Sequence, residues 1–193
     1  SYAECTASCI EALVELRHRR VLDPQLDVRA QRSIAGAVAY LRRLQRNDGS
    51  YYGSWGINVI YATSFVLRAL AAAGLAATDA TAARALAWLE RKQRGDGGWG
   101  EHHSGCLRYA YVENECSLVT STSWAVLGLL AFRSRRHPAV QAGLAWLRGQ
   151  RQADGLWPRQ PVNGVFYGSG MLEYPLYGAC FGAMAWHRGG AMP

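Results

Sequence analysis

This sequence is short of the features that sort proteins most quickly. None of its apolar runs approaches the roughly 20 residues needed to span a bilayer, because the longest are broken by Arg68, Ser121, Thr122 and Ser123. A transmembrane helix is therefore not expected. The opening residues Ser-Tyr-Ala-Glu-Cys contain no basic stretch leading into an apolar core, so no secretory signal is expected and a cytoplasmic setting follows. Only five cysteines occur, Cys5, Cys9, Cys106, Cys116 and Cys180, an odd number in a chain too large to need staples. Free thiols are the reading. His102, His103, Cys106 and Cys116 follow none of the common zinc spacings, so no metal site is expected. The net charge of +7 is spread over scattered arginines such as Arg32, Arg42, Arg43 and Arg46, with one denser run at Arg17, Arg19 and Arg20. A phosphate-binding stripe would interleave basic residues with aromatics on one face. Here the aromatics lie in apolar stretches, which argues against nucleic acid as a partner.

What the chain does have is bulk and repetition. With 193 residues and 50% hydrophobic content it can bury a sizeable core, and it is read as one domain over residues 1–193. Three related segments run from Ala39 (AYLRRLQRNDGSY), from Ala87 (AWLERKQRGDGGW) and from Ala145 (AWLRGQRQADGLW). Superposing Asp48, Asp96 and Asp154 gives spacings of 48 and 58 residues, the size of a two-helix unit with its loops. In each, an amphipathic helix ends in a polar turn at Asp-Gly, where Gly accepts a positive φ and Asp can bond the backbone. Tyr51, Trp99 and Trp157 follow that turn and are assigned to structure as rivets, with Gln45 and Gln93 placed to cap or stack beneath them. In the third segment Arg151 stands at the glutamine position between Gln150 and Gln152, which leaves its register open.

Seven helices are expected, near 3–19, 29–46, 57–74, 79–94, 118–133, 136–151 and 174–187. The second carries Ile34, Ala37, Val38, Leu41 and Leu44 on one face and arginines on the other, the pattern of a half-buried outer helix. The third, fifth and seventh carry almost no charge and call for burial all round. Amphipathic outer helices alternating with apolar inner ones describe an all-α fold of two concentric layers, an incomplete α/α barrel or toroid.

At these repeats the sequence resembles the squalene and oxidosqualene cyclases. Their Gln-Trp motif is matched three times. Asp48 to Gly56 is similar to the family's D-G-S-W-x-G-S-W-G with Tyr51 for Trp, and Gly97 to Glu101 to its G-G-W-G-E. Gly164-Val165-Phe166 followed by Tyr174 and Tyr177 resembles the G-V-F and Y-x-x-Y of the oxidosqualene (lanosterol synthase-like) branch, as does Glu4-Cys5-Thr6 its E-C-T. The resemblance implies an intramolecular transferase, an isomerase of triterpenoid and sterol biosynthesis without a cofactor, whose polyprenoid substrate, squalene or oxidosqualene, lies in an aromatic cavity. It implies contact at the periphery of a membrane. It also implies that Cys5 supports the acid that starts cyclisation, and that Trp55 and Phe166, with Tyr61 and Tyr174 behind them, line the cavity. Ser64 and Ala62 replace the Trp and Gly of the family's Y-G-T-W. No D-C-T-A-E, the family's acid motif, occurs in this chain, so an upstream part of the cyclase is expected to supply it. Protein prenyltransferase β subunits use a similar barrel but need an Asp, Cys and His on zinc, and no matching set is found. The competing function is a non-catalytic α/α module that binds an isoprenoid or a partner protein through an apolar face.

Overall fold

The computed structural model describes residues 2–160, 162–166 and 168–190. Its elements in chain order are α1 (Ala3–His18), α2 (Pro24–Leu44), α3 (Asn58–Ala72), α4 (Ala80–Arg91), α5 (Gly105–Arg108), α6 (Val119–Leu130), α7 (Pro138–Gly149), β1 (Gly164–Phe166), β2 (Gly170–Leu172) and α8 (Pro175–Arg188). Each of α1, α3, α6 and α8 packs on the next and they form the inner layer. Outside them, α2 lies on α1, α4 bridges α3 and α6, and α7 bridges α6 and α8. This is the α/α arrangement the charge pattern predicts.

The two layers start their helices differently. Outer helices use local caps. Asp23 accepts a hydrogen bond from the Leu26 amide and Pro24 follows it at the first helical position, so α2 begins five residues earlier than the apolar periodicity alone indicates. Asp79 accepts from the Thr81 amide to start α4, and Pro138 opens α7. The inner helices α3 and α6 have no such cap. Ile57 and Leu118 precede α3 and α6 and offer no side-chain acceptor. Their first-turn amides, which lack intrahelical partners, are served from a distance. Glu101 accepts from Val59 (2.9 Å) and Ile60 (2.8 Å), and Gln160 Oε1 accepts from Thr120 (2.8 Å).

Two features depart from the expected seven helices. A single-turn helix, α5, lies in the loop between α4 and α6, and residues 164–172 form a short antiparallel hairpin in which Gly164 pairs with Leu172. The hairpin also touches the loop before α3. Gly56 and Gly164 form an antiparallel bridge, with Val165 N–H donating to the Trp55 carbonyl at 3.0 Å.

The repeats are joints between layers. Gln45 Nε2 donates to the Gly49 and Thr81 carbonyls, and Gln93 Nε2 to those of Gly97 and Ala139, so each amide ties its own turn to the first turn of the next outer helix. The rings of Trp99 and Trp157 are buried and their indole N–H groups donate to Leu89 and Leu147, 2.8 Å in both cases. Gly49 and Gly97 take φ of +97° and +90° against the backbones of Arg84 and Ala142, where a Cβ would collide. The third joint resolves the open register: Arg151 Nε donates to Gly155, four residues on, as Gln45 and Gln93 do, and its guanidinium lies 5.6 Å from the Trp157 ring centre.

Candidate active-site wall

The loop Gly53 to Ile57 carries Trp55 to the inner rim because α3 begins directly behind it. Its backbone runs so close to α3 that a Cβ on Gly56 would meet the Tyr61 ring at 2.6 Å, and a Cβ on Gly164 would likewise strike Tyr174. Glycine at both positions lets the two strands of backbone pass between Tyr61 on one side and Tyr174 on the other. Phe166 thereby reaches Trp55, with ring centres 5.8 Å apart, and Tyr2 meets the same indole edge-on at 5.9 Å.

All the residues singled out for the cavity thus gather around one backbone bridge. Trp55 is half-buried and Phe166 45% exposed, whereas Tyr61 is buried and Tyr174 half-buried. Cys5 is exposed on α1, not the small buried core residue that an isolated cysteine on an apolar helix suggests. Burial by its neighbours and the nearby Glu4 carboxyl push its thiol pKa up, against a side-chain hydrogen bond with Trp55. The remaining cysteines are unpaired, with Cys106 buried and donating to Asn58 Oδ1. Among the described residues no three His, Cys, Asp or Glu side chains gather as a metal would require.

The wall continues beyond the residues read from the sequence. Tyr61 contacts Phe65 (4.6 Å) and Trp124 (4.9 Å), Trp124 contacts Phe181 (5.6 Å), and Tyr177 stacks on Tyr174 at 4.5 Å. These rings come from α3, α6 and α8, so one aromatic sheet crosses three inner helices. Their spacing in the sequence is that of ordinary core residues, which is why only the fold reveals them. Below them, Arg68 pairs with Glu11 at 2.9 Å and lies over Phe65. Tyr2, Tyr52, Ser54, Trp55, Tyr109 and Gly168 bound a cavity of about 300 Å³ next to the wall. A larger cleft of about 600 Å³ lies at the far end of α1, around the Arg17–Asp27 ion pair, and contains no aromatic ring.

Two buried carboxyl groups were not legible as site residues. Glu4 is 2% exposed and accepts from the Ser54 amide, while its Oε2 has no hydrogen-bond partner among the described residues. Burial raises its pKa, opposed by the Ser54 and Trp55 amides. Glu101 is also 2% exposed, and burial pushes it up to about 7 despite the Ile60 and Val59 amides. Glu4 places a carboxyl beside Trp55, one of the cavity aromatics. Its chemistry is nonetheless wrong for starting a cyclisation: a raised pKa makes a weak acid, and protonating an epoxide needs a strong one. The carboxyls held low are Asp48 and Asp96 in the repeat turns, where Asp48 also accepts from the Trp88 indole, Asp79 at the start of α4, and Asp27 in its ion pair with Arg17.

The model of the squalene-hopene cyclase C-terminal domain matches residues 2–189. Lanosterol synthase erg7A of Aspergillus fumigatus is 38% identical over 91% of this chain and 23% of its own length. A probable squalene–hopene cyclase of Sinorhizobium fredii is 39% identical over 92% of the chain and 27% of its own. For the lanosterol synthase of Mus musculus the figures are 35%, 92% and 24%. The chain therefore spans about a quarter of these relatives. Among solved structures, ent-copalyl diphosphate synthase from Streptomyces platensis superposes with a TM-score of 0.70 over 99% of the chain and 34% of its own, at 21% identity, a likeness of fold.

Proposed function

Since the chain belongs to the squalene-hopene cyclase C-terminal domain family, we propose that it is the C-terminal part of a triterpene cyclase and forms one wall of the cavity in which a polyprenoid closes its rings. The observation that carries this reading is the convergence of Trp55, Phe166 and Cys5, from a loop, a hairpin and a helix far apart in the chain, with Trp55 only half-buried. Ring faces are negative and attract a carbocation by about 0.5 to 2 kcal/mol each. Such attraction exists only once charge has formed, so it lowers barriers along the cyclisation without tightening substrate binding.

In this reading the initiating acid comes from the part of the cyclase upstream, and Cys5 faces it. A thiol hydrogen bond to that carboxyl favours its anion and so strengthens the acid. The motifs at Gly164–Phe166 and Tyr174–Tyr177 favour oxidosqualene over squalene as substrate, since relatives of both kinds match at similar identity. A substrate this apolar resides in bilayers, so contact with a membrane surface belongs to the same proposal. Among the described residues no helix is long and apolar enough to cross one.

The test joins or co-expresses this chain with an upstream cyclase part carrying the acid. Cys5→Ala should slow turnover to an unchanged product, Trp55→Ala should change the product mixture, and Leu127→Ala should act through stability alone. Equal, modest losses for all three would refute the wall assignment. Product made from oxidosqualene by the isolated chain, above a heat-killed control, would refute the division of labour. Tight isoprenoid binding by the joined protein with no turnover would favour the non-catalytic module.

A further inference from the structure

Residues 53–57 have few side chains to pack, because Gly53, Ser54 and Gly56 contribute almost none and glycine widens backbone freedom, so the segment is held through its backbone, by Asn58, by the bridge to Gly164 and by the Val165 amide. Yet this segment carries Trp55. It is gripped from two sides by the two buried carboxyls. Glu4, from α1, holds the Ser54 amide just before the ring. Glu101, from the loop after the second repeat, holds Val59 and Ile60 just after it, in a first turn where no local cap exists. We propose that Glu4 and Glu101 are positioning residues for Trp55, clamping the backbone on both sides of Gly56 so that the indole keeps one orientation toward Phe166 and Cys5. The role of the ring rests on the cyclase reading; its fixation does not.

The bland account is that both are helix caps. It does not explain why α3 is capped from 42 residues away at the expense of burying a carboxyl, when the outer helices α2 and α4 cap themselves with the exposed Asp23 and the partly buried Asp79. A local cap orders a helix end; a remote one also fixes that end against a neighbour. The parallel position in the next unit sharpens the point. There a neutral amide, Gln160, serves Thr120, and residues 116–118 before α6 carry no aromatic ring. A carboxyl, whose bonds when ionised are about twice as strong as neutral ones, stands on each side of Trp55.

The test uses the chain as it is, labelled with 5-fluorotryptophan, whose seven tryptophans give separate fluorine NMR signals, with that of Trp55 assigned by Trp55→Phe. In Glu4→Ala and Glu101→Ala the Trp55 signal should broaden or split while those of Trp88, Trp99 and Trp157 stay in place. Glu4→Gln, which keeps an acceptor oxygen for Ser54, should restore a single Trp55 line. A folded Ala variant with an unchanged Trp55 line overturns the proposal. Should both Ala variants fail to fold, amide exchange of the unaltered chain decides. First-turn amides have no intrahelical acceptor, so protection of Val59 and Ile60 by at least about tenfold reports the Glu101 grip, and the same at Ser54 reports Glu4. Open-chain exchange at these amides overturns it. Neither readout involves turnover. A rigid Trp55 whose replacement leaves the joined enzyme's product unchanged would sink the cyclase reading and leave the clamp standing.

Discussion

The repeat joints and the cavity wall are built from the same kinds of residue put to opposite uses. At the joints, Trp99 and Trp157 are buried, each indole N–H has a carbonyl, and Gln45 and Gln93 each make two bonds. At the wall, Trp55 and Phe166 are only partly buried, and the neighbouring backbone is held by a glycine–glycine bridge and two remote carboxyls. Rings that hold the protein together are closed on all sides. Rings available for chemistry have their order imposed by groups they do not touch, and the difference marks where stability ends and function begins.

The comparison breaks first at a joint. Trp99→Ala removes a fully buried indole and its bond to Leu89, and should destabilise the chain by about 3–5 kcal/mol in denaturant melts. Trp55→Ala, with a half-open ring, should cost far less in the same melts. Next comes acidity at Glu101. Its folded pKa, about 7, lies above the ordinary 4.5, so the native state holds a proton more tightly than the unfolded one. Its contribution is present below about pH 4.5 and is lost as pH rises through about 7. Glu4 is shifted in the same direction, while Asp48, Asp79 and Asp96 are lowered, so their contribution is present above about pH 4 and is lost as pH falls below it. The groups around Glu101 are the Ile60, Val59 and Asn58 amides, Arg46, Cys106, Tyr52 and Tyr111. Glu101→Gln should therefore flatten the fall in stability between pH 4.5 and 7; an unchanged slope would place the titration elsewhere.

Smaller effects sharpen the contrast among the joints themselves. Gln93→Ala frees two carbonyls and should cost about 1–3 kcal/mol, whereas Arg151→Ala, with one backbone bond at an exposed site, should cost less. Last is Tyr51, whose ring fills the first rivet but whose buried hydroxyl has no partner among the described residues. Tyr51→Phe should raise stability by about 1 kcal/mol, since an unpaired buried hydroxyl is a cost. A loss of that size instead would mean the hydroxyl is bonded in solution.

The joints were legible because they recur. Three copies of one turn, each with an aromatic in the same place, announce a structural unit, and the alternation of charged and uncharged helices orders the layers. The start of α2 was misread by five residues because apolar periodicity locates a buried stripe and says nothing of a cap; Asp23-Pro24 was the signal there. The wall was legible only through its likeness to a family. Phe65, Trp124 and Phe181 sit at helical spacings indistinguishable from core, and the hairpin at 164–172 is too short and glycine-rich to show an alternating pattern. Glu101 and Gln160 could have been found together. They stand two and three residues beyond the second and third rivets, and both turn out to serve inner helices.

The Gly56–Gly164 bridge also carries a temporal meaning. It links positions more than a hundred residues apart in the chain, whereas Trp99 reaches a carbonyl only ten residues back. Closing a long loop costs more entropy, and contacts of high sequence separation form late. These separations predict that the rivets form early, unit by unit, and that the bridge forms after α3, α6 and α8 have docked. Mutations in the joints should therefore slow refolding, while Gly56→Ala or Gly164→Ala should act mainly by hastening unfolding. The part of the molecule that would meet a substrate is the part the chain completes last, and it is exposed to every error made before it.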